Sequence, residues 1–179
     1  RRIDLPDKPF IDADVSRVEK VERATTLASG SVRVHTVEHV LSALTGMSVD
    51  NALIEMDANE PPIGDGSARP FVELIRKAGV EEQESRRKTW EIREPIHFDD
   101  KDGSHITIVP YRGFRVSVTN LSRLGKFTQY FSSEVTPELY ESEIAPARTF
   151  TFYDDINPLL HHGHIKGGSL ENAVVLSDD

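Results

Sequence analysis

The sequence predicts an α+β fold in two units, each holding strands and one or two helices. Three observations lead there. Apolar residues recur at helical spacing after Thr36 and again after Arg69. The second half of the chain alternates apolar and polar residues in short runs between turn signals. Residues 81–88 are all polar and nearly all charged, and they separate the two textures.

Taken in order, residues 1–30 are polar and broken by Pro6 and Pro9, with Ile3, Leu5, Phe10 and Ile11 as candidates for short strands. Val37, Val40, Leu41 and Leu44 form one apolar stripe of a short helix. Thr36 is placed as its N-cap, Glu38 in its first turn and Gly46 at its end. Ala52, Ile54 and Met56 alternate with Leu53 and Glu55, the pattern of a strand with one buried face. Pro61 and Pro62 end it, and Asp65-Gly66 makes a turn, with Asp65 and Ser67 capping the next helix. That helix runs from about Arg69, with Phe71, Leu74, Ile75 and Ala78 on one side and Gly79 at its end. The apolar faces around Leu41 and Leu74 are core.

The charged stretch reads as a boundary, with the exposed end of a helix as the other reading. The expected domains are therefore residues 1–86 and 87–179. Trp90, Ile92, Ile96 and Phe98 lead to Asp102-Gly103, a hairpin signal, and on to a strand at 105–109. Residues 114–119 alternate again. Thr136-Pro137-Glu138 opens a short helix with proline in its first turn. Gly167-Gly168 precedes a last apolar run at 173–176.

Composition narrows the function. The chain has 179 residues, 37% hydrophobic and 28% charged, which suits one ordinary domain or two small ones. A formal net charge of −9 argues against nucleic acid as a partner, though a few local basic groups suffice for a phosphorylated substrate. With no cysteine, any bound metal must use His, Asp or Glu. No run of 18 apolar residues exists to span a membrane, and no signal-peptide pattern opens the sequence. A soluble cytoplasmic protein is the expectation. The chain starts at Arg1 and stops just after an apolar run, and both ends read as cut.

The chemically loudest stretch is His35-Thr36-Val37-Glu38-His39. A metal hydrolase needs a neutral imidazole on the metal and a carboxylate near the attacking water. In one reading His35 and His39 are both ligands, as in inverted zinc peptidases, which requires both on one helix face. In another only His39 is a ligand and its partners come from elsewhere. In a third the two are surface histidines at a helix start. Spacing alone leaves all three open.

The wider sequence resembles a known family. Residues 34–46 (Val-His-Thr-Val-Glu-His-Val-Leu-Ser-Ala-Leu-Thr-Gly) resemble the signature of UDP-3-O-acyl-N-acetylglucosamine deacetylases. So do Asp50-Asn51-Ala52-Leu53-Ile54-Glu55 and residues 60–72, which include Gly64-Asp65-Gly66-Ser67. Ala147-Arg148-Thr149-Phe150 and residues 165–175 match two further blocks in the same order. The resemblance implies two similar domains, each a β-sheet packed against a two-helix layer, with the active-site cleft between them. It implies one zinc ion per full-length enzyme and an acylated UDP-sugar as substrate in lipid A biosynthesis. By the same resemblance Glu38 is the general base, His39 one of three zinc ligands, and Thr149 a stabiliser of the tetrahedral oxyanion. Phe150, Phe152 and Asp155 are implied to line the substrate cleft.

Departures from the family matter as well. Its other two zinc ligands come from a His-Lys-x-x-Asp motif that follows the Gly-Gly-Ser block, and a further catalytic histidine lies beyond. They are expected outside this chain. Thr119-Asn120-Leu121-Ser122-Arg123 stands where the family usually has Phe-x-His-Pro. His161-His162-Gly163-His164 is read as a loop near the cleft and not a metal tract. Lys166 is a candidate contact for a substrate diphosphate. An inverted zinc peptidase using His35, Glu38 and His39, and a folded fragment without catalysis, stand as alternatives.

Overall fold

The computed structural model describes residues 1–121, 125, 127–161 and 167–177, and these mix helices with small sheets as an α+β protein does. The chain forms two compact units. One comprises Arg1–Val80 with Pro137–Asp179, the other Glu81–Thr136.

The first unit opens with an antiparallel meander, β1 (Val18–Val21), β2 (Thr25–Ser29) and β3 (Val32–Val34), in that spatial order. Leu27 pairs with Val34 across β2 and β3, and both are buried with Val37. Ile11, Leu41 and Met56 pack against this cluster. Burying a side chain of this size stabilises by about 1.5–3 kcal/mol. Arg2 is 9% exposed and fully engaged. It donates two hydrogen bonds to the Asp4 carboxylate, at 2.7 and 2.5 Å, and one to the Arg33 carbonyl at 3.0 Å.

Helix α1 (Glu38–Gly46) follows, then α2 (Arg69–Ala78), which ends at Gly79 with a φ of +80°. Thr36 is not the cap of α1. The N-cap is Val37 and has no side-chain hydrogen bond. Thr36 has a φ of +54°, outside the extended region an N-cap residue adopts, and its hydroxyl donates instead to the Glu60 carboxylate. The alternating residues 52–56 also fall short of a strand. Met56 makes only a parallel bridge to Arg2, where the expected early strands are likewise absent among the described residues. The meander itself was not anticipated, because β1 is exposed along its whole length and shows no alternation.

The later part of this unit holds α3 (Pro137–Leu139), running into a π-turn at Tyr140–Ile144, then β8 (Phe150–Phe152), α4 (Tyr153–His161) and β9 (Val174–Leu176). Strands β8 and β9 pair in parallel. Helix α4 carries Pro158 within it and ends at His161, and the rest of the loop expected at 161–164 lies outside the described residues. Residues 137–179 group with residues 1–80. The reason is a set of backbone ties. Arg69 N–H donates to the Ala145 carbonyl at 2.9 Å and Thr149 N–H to the Gly66 carbonyl at 2.7 Å. Tyr140, 3% exposed, lies against Gly46, and its hydroxyl is 2.9 Å from that of Ser42.

In the second unit, β4 (Ile96–Asp99) and β5 (His105–Ile108) form the expected hairpin, with Gly103 at a φ of +89°. Strands β6 (Arg115–Asn120) and β7 (Gln129–Glu134) form a second hairpin. Trp90 and Ile92 lie outside any strand, and Trp90 is 95% exposed.

The turn before α2 is fixed by one carboxylate. Asp65 accepts from the Ser67 hydroxyl at 2.6 Å, the Ser67 N–H at 3.1 Å and the Arg69 guanidinium at 2.7 Å. The Ser67 hydroxyl in turn accepts the Arg69 N–H at 3.2 Å, although the N-cap of α2 is Ala68, which makes no side-chain cap hydrogen bond. Burial pushes the Asp65 carboxyl up, but these hydrogen bonds outweigh it and hold the group below the ordinary carboxylate range.

Two outcomes are expected. A Cβ at position 46 would overlap the Tyr140 ring, so Gly46→Ala should lower the urea midpoint by the equivalent of about 1–3 kcal/mol with an unchanged m-value. Adding Tyr140→Leu should recover part of the loss; an unshifted midpoint for the single change would show slack at that contact. The depressed Asp65 pKa means its stabilisation is present above the unfolded value of about 3.9 and is lost as pH falls through the folded value. Asp65→Asn should therefore destabilise at pH 7, and the gap to wild type should narrow below about pH 4. A gap independent of pH would remove the charge from the account.

Candidate active site

Glu38 and His39 occupy the first turn of α1, off the stripe formed by Val37, Val40, Leu41 and Leu44 that packs inward, and both are partly buried. The start of β2 holds the Glu38 side chain. Thr25 N–H donates to Glu38 Oε2 at 3.1 Å. The next residue, Thr26, is buried, and its hydroxyl lies 2.9 Å from His35 Nδ1. His35 N–H donates to the Asn59 carbonyl at 2.8 Å. His35 thus sits before the helix, and the left-handed backbone at Thr36 separates it from the face that carries His39.

Thr149 immediately precedes β8. Its N–H is held by Gly66 and its carbonyl accepts the Val174 N–H at 2.9 Å. Arg148 reaches the carbonyls of Asp65 at 2.9 Å and Leu170 at 3.0 Å. Gly66 has a φ of +81°, and a Cβ there would overlap the Asn172 carbonyl, so only glycine fits this approach. Phe150 and Phe152 share one face of β8, and their rings meet edge to face at 5.9 Å. Asp155, in the first turn of α4, pairs with Arg23 at 3.3 Å.

Glu38, His39, Thr149, Phe150, Phe152 and Asp155 all belong to the same unit, Arg1–Val80 with Pro137–Asp179. So do Arg23 and Thr25, which sequence reasoning missed. A backbone N–H donor has no sequence signature, and an arginine that pairs 132 positions away is legible only in three dimensions. Lys166, His162 and His164 lie outside the described residues.

Between them Glu38, His39 and Thr149 carry a carboxylate, an imidazole and a hydroxyl, group types that can move a proton and polarise a carbonyl. Among the described residues, no three His, Asp or Glu side chains converge in a way that could hold a metal ion. They do not by themselves make a zinc site, and His39 is a single imidazole where a hydrolytic site needs about three protein ligands.

The sequence matches the family described as UDP-3-O-acyl N-acetylglycosamine deacetylase over residues 1–179. It is 38% identical to the UDP-3-O-acyl-N-acetylglucosamine deacetylase of Bdellovibrio bacteriovorus, covering 99% of this chain and 59% of that protein. It is 41% identical to the protein of that name from Methylococcus capsulatus, covering 98% and 59%. It is also 39% identical to a bifunctional enzyme LpxC/FabZ of Porphyromonas gingivalis, covering 100% and 39%. The chain thus spans about three-fifths of the length of the deacetylases it matches. A match along the whole chain, together with relatives near 40% identity, establishes that the chain belongs to the UDP-3-O-acyl N-acetylglycosamine deacetylase family.

Proposed function

We propose that the longer protein containing this chain hydrolyses the N-acetyl group of a UDP-3-O-acyl-N-acetylglucosamine in lipid A biosynthesis. The observation that carries the reading is Glu38, held by the Thr25 N–H beside His39, in a chain of this family. The Thr25 bond engages Oε2 and leaves Oε1 to take a proton from water. The water oxygen attacks the acetyl carbonyl carbon, and Glu38 then returns the proton to the departing nitrogen as the carbon–nitrogen bond breaks. The products are acetate and the free amine. The Thr149 hydroxyl donates to the oxyanion, a use favoured by the backbone bonds that fix its position from both sides. Phe150, Phe152 and Asp155 line the substrate cleft in this reading, and Lys166 contacts the diphosphate.

His39 is proposed as one zinc ligand, with the others outside this chain. Two similar domains flanking a cleft, divided near residues 86/87, belong to the same proposal, as does a cytoplasmic location. No helix among the described residues is long and apolar enough to cross a membrane. The peptidase reading is disfavoured by the place of His35, which is off α1 and engaged with Thr26.

Glu38→Gln in the full-length enzyme should keep its metal and lose about 100–10,000-fold in turnover, since glutamine preserves shape and accepts no proton. An unchanged rate would take Glu38 out of the mechanism and favour a segment without catalysis. His39→Ala should strip the zinc measured by atomic absorption, and His35→Ala should retain it. Equal losses would revive the peptidase arrangement.

A further inference from the structure

We propose that Arg23 is a positioning residue for Glu38: its ion pair with Asp155 holds the β1–β2 turn in the shape that sets the Thr25 N–H on the Glu38 carboxylate. The inference rests on the reading of Glu38 as the base.

Residues 22–24 connect β1 to β2, and the turn is closed by the Glu22 N–H donating to the Ala24 carbonyl at 3.2 Å. Arg23 has a φ of +57°. A residue with a Cβ enters this region at a cost, and glycine or asparagine usually stands there. Arginine at this position uses the conformation to reach outward. Its guanidinium meets Asp155 Oδ2 at 3.3 Å, across 132 positions of sequence. Two residues further on, Thr25 N–H meets Glu38 Oε2 at 3.1 Å.

The pair is not chiefly a stabilising one. The Arg23 side chain is 57% exposed, and ion pairs open to water contribute little to folding. What it supplies is a tether between the β1–β2 turn and the later segment. Asp155 is three residues beyond Phe152, in the helix that directly follows β8, and β8 begins next to Thr149. The same ion pair therefore couples the segment that holds the proposed base to the segment that carries the proposed oxyanion donor. Neither Arg23 nor Asp155 need touch the reacting atoms to do this.

The test uses the full-length enzyme with UDP-3-O-acyl-N-acetylglucosamine, comparing Arg23→Asn, Arg23→Lys, Glu38→Gln and the Arg23→Asn/Glu38→Gln pair. Asparagine tolerates the left-handed backbone, so Arg23→Asn removes the guanidinium without forcing the turn to refold. It should lower kcat about tenfold, short of the ~100-fold that a full ångström of misplacement costs. KM should stay within about twofold, the pattern of an interaction felt in the transition state. Arg23→Lys should recover most of the rate. On the Glu38→Gln background, Arg23→Asn should cost nothing further. The Thr25 amide proton, followed by NMR, should move upfield in both Arg23→Asn and Glu38→Gln. A raised KM with kcat unchanged would overturn the proposal, since Arg23 would then be a substrate contact. An unmoved Thr25 amide in Arg23→Asn would overturn it as well, even with Glu38→Gln inactive. Full turnover by Glu38→Gln would sink the base assignment instead, and that result is read independently of the amide.

Discussion

The first unit depends on a single close approach, the backbone of Gly66 against the carbonyl of Asn172. Everything near Thr149 is arranged around it. The turn that presents Gly66 is set by the Asp65 carboxylate. The Gly66 carbonyl takes the Thr149 N–H, and the Asp65 carbonyl takes the Arg148 guanidinium. Thr149 then hands the chain to β8, and its own carbonyl fixes the start of β9 through Val174. A side chain at position 66 would push these segments apart. Residue 66 is thus a structural requirement of the later segment although it lies more than eighty positions before it.

A second set of contacts places Glu38, the proposed base. Helix α1 takes its direction from Val37 and Leu41 against Leu27 and Val34, and from Gly46 against Tyr140. Those contacts decide which way Glu38 and His39 point. They leave the Glu38 carboxylate free to swing about its own side-chain bonds, and the N–H of Thr25 removes part of that freedom. Helix packing fixes the coarse position and β2 the fine one. Positioning of this kind separates a bound reactant from an aligned one.

Helices α1 and α2 were legible because each has apolar residues at helical spacing and a clear end, although in α2 Val72 is the buried residue and Leu74, expected in the core, is exposed. The β4–β5 hairpin was legible because Asp102-Gly103 is a turn that few other structures would tolerate. The meander was not. Its only strongly buried residues are Thr26, Leu27 and Val34, too few to show a period, and β1 packs nothing inward. The strand expected at 52–56 failed for the converse reason: the alternation is present, but among the described residues its pairing is a single bridge, from Met56 to Arg2. Glu38, His39 and Thr149 came from motif resemblance, whereas Arg23 and Thr25 act through a left-handed turn and a backbone N–H, which residue types do not encode.

This division has a consequence for how the site tolerates change. Thr149 is held by its own N–H and carbonyl, and Glu38 accepts from a backbone N–H. Backbone donors and acceptors are the same for almost any residue, so the identities of positions 25 and 174 are loosely constrained by these bonds. Proline is the exception, because it lacks the N–H. The tight constraints fall instead on positions that shape the backbone: Gly66 at its contact with Asn172, Gly46 under the Tyr140 ring, and Asp65 in its turn. The proposed chemistry uses a carboxylate, an imidazole and a hydroxyl; the backbone around them is shaped by two glycines and an aspartate. Sequence motifs that include Gly64-Asp65-Gly66-Ser67 therefore mark the geometry of the site as much as its reactivity.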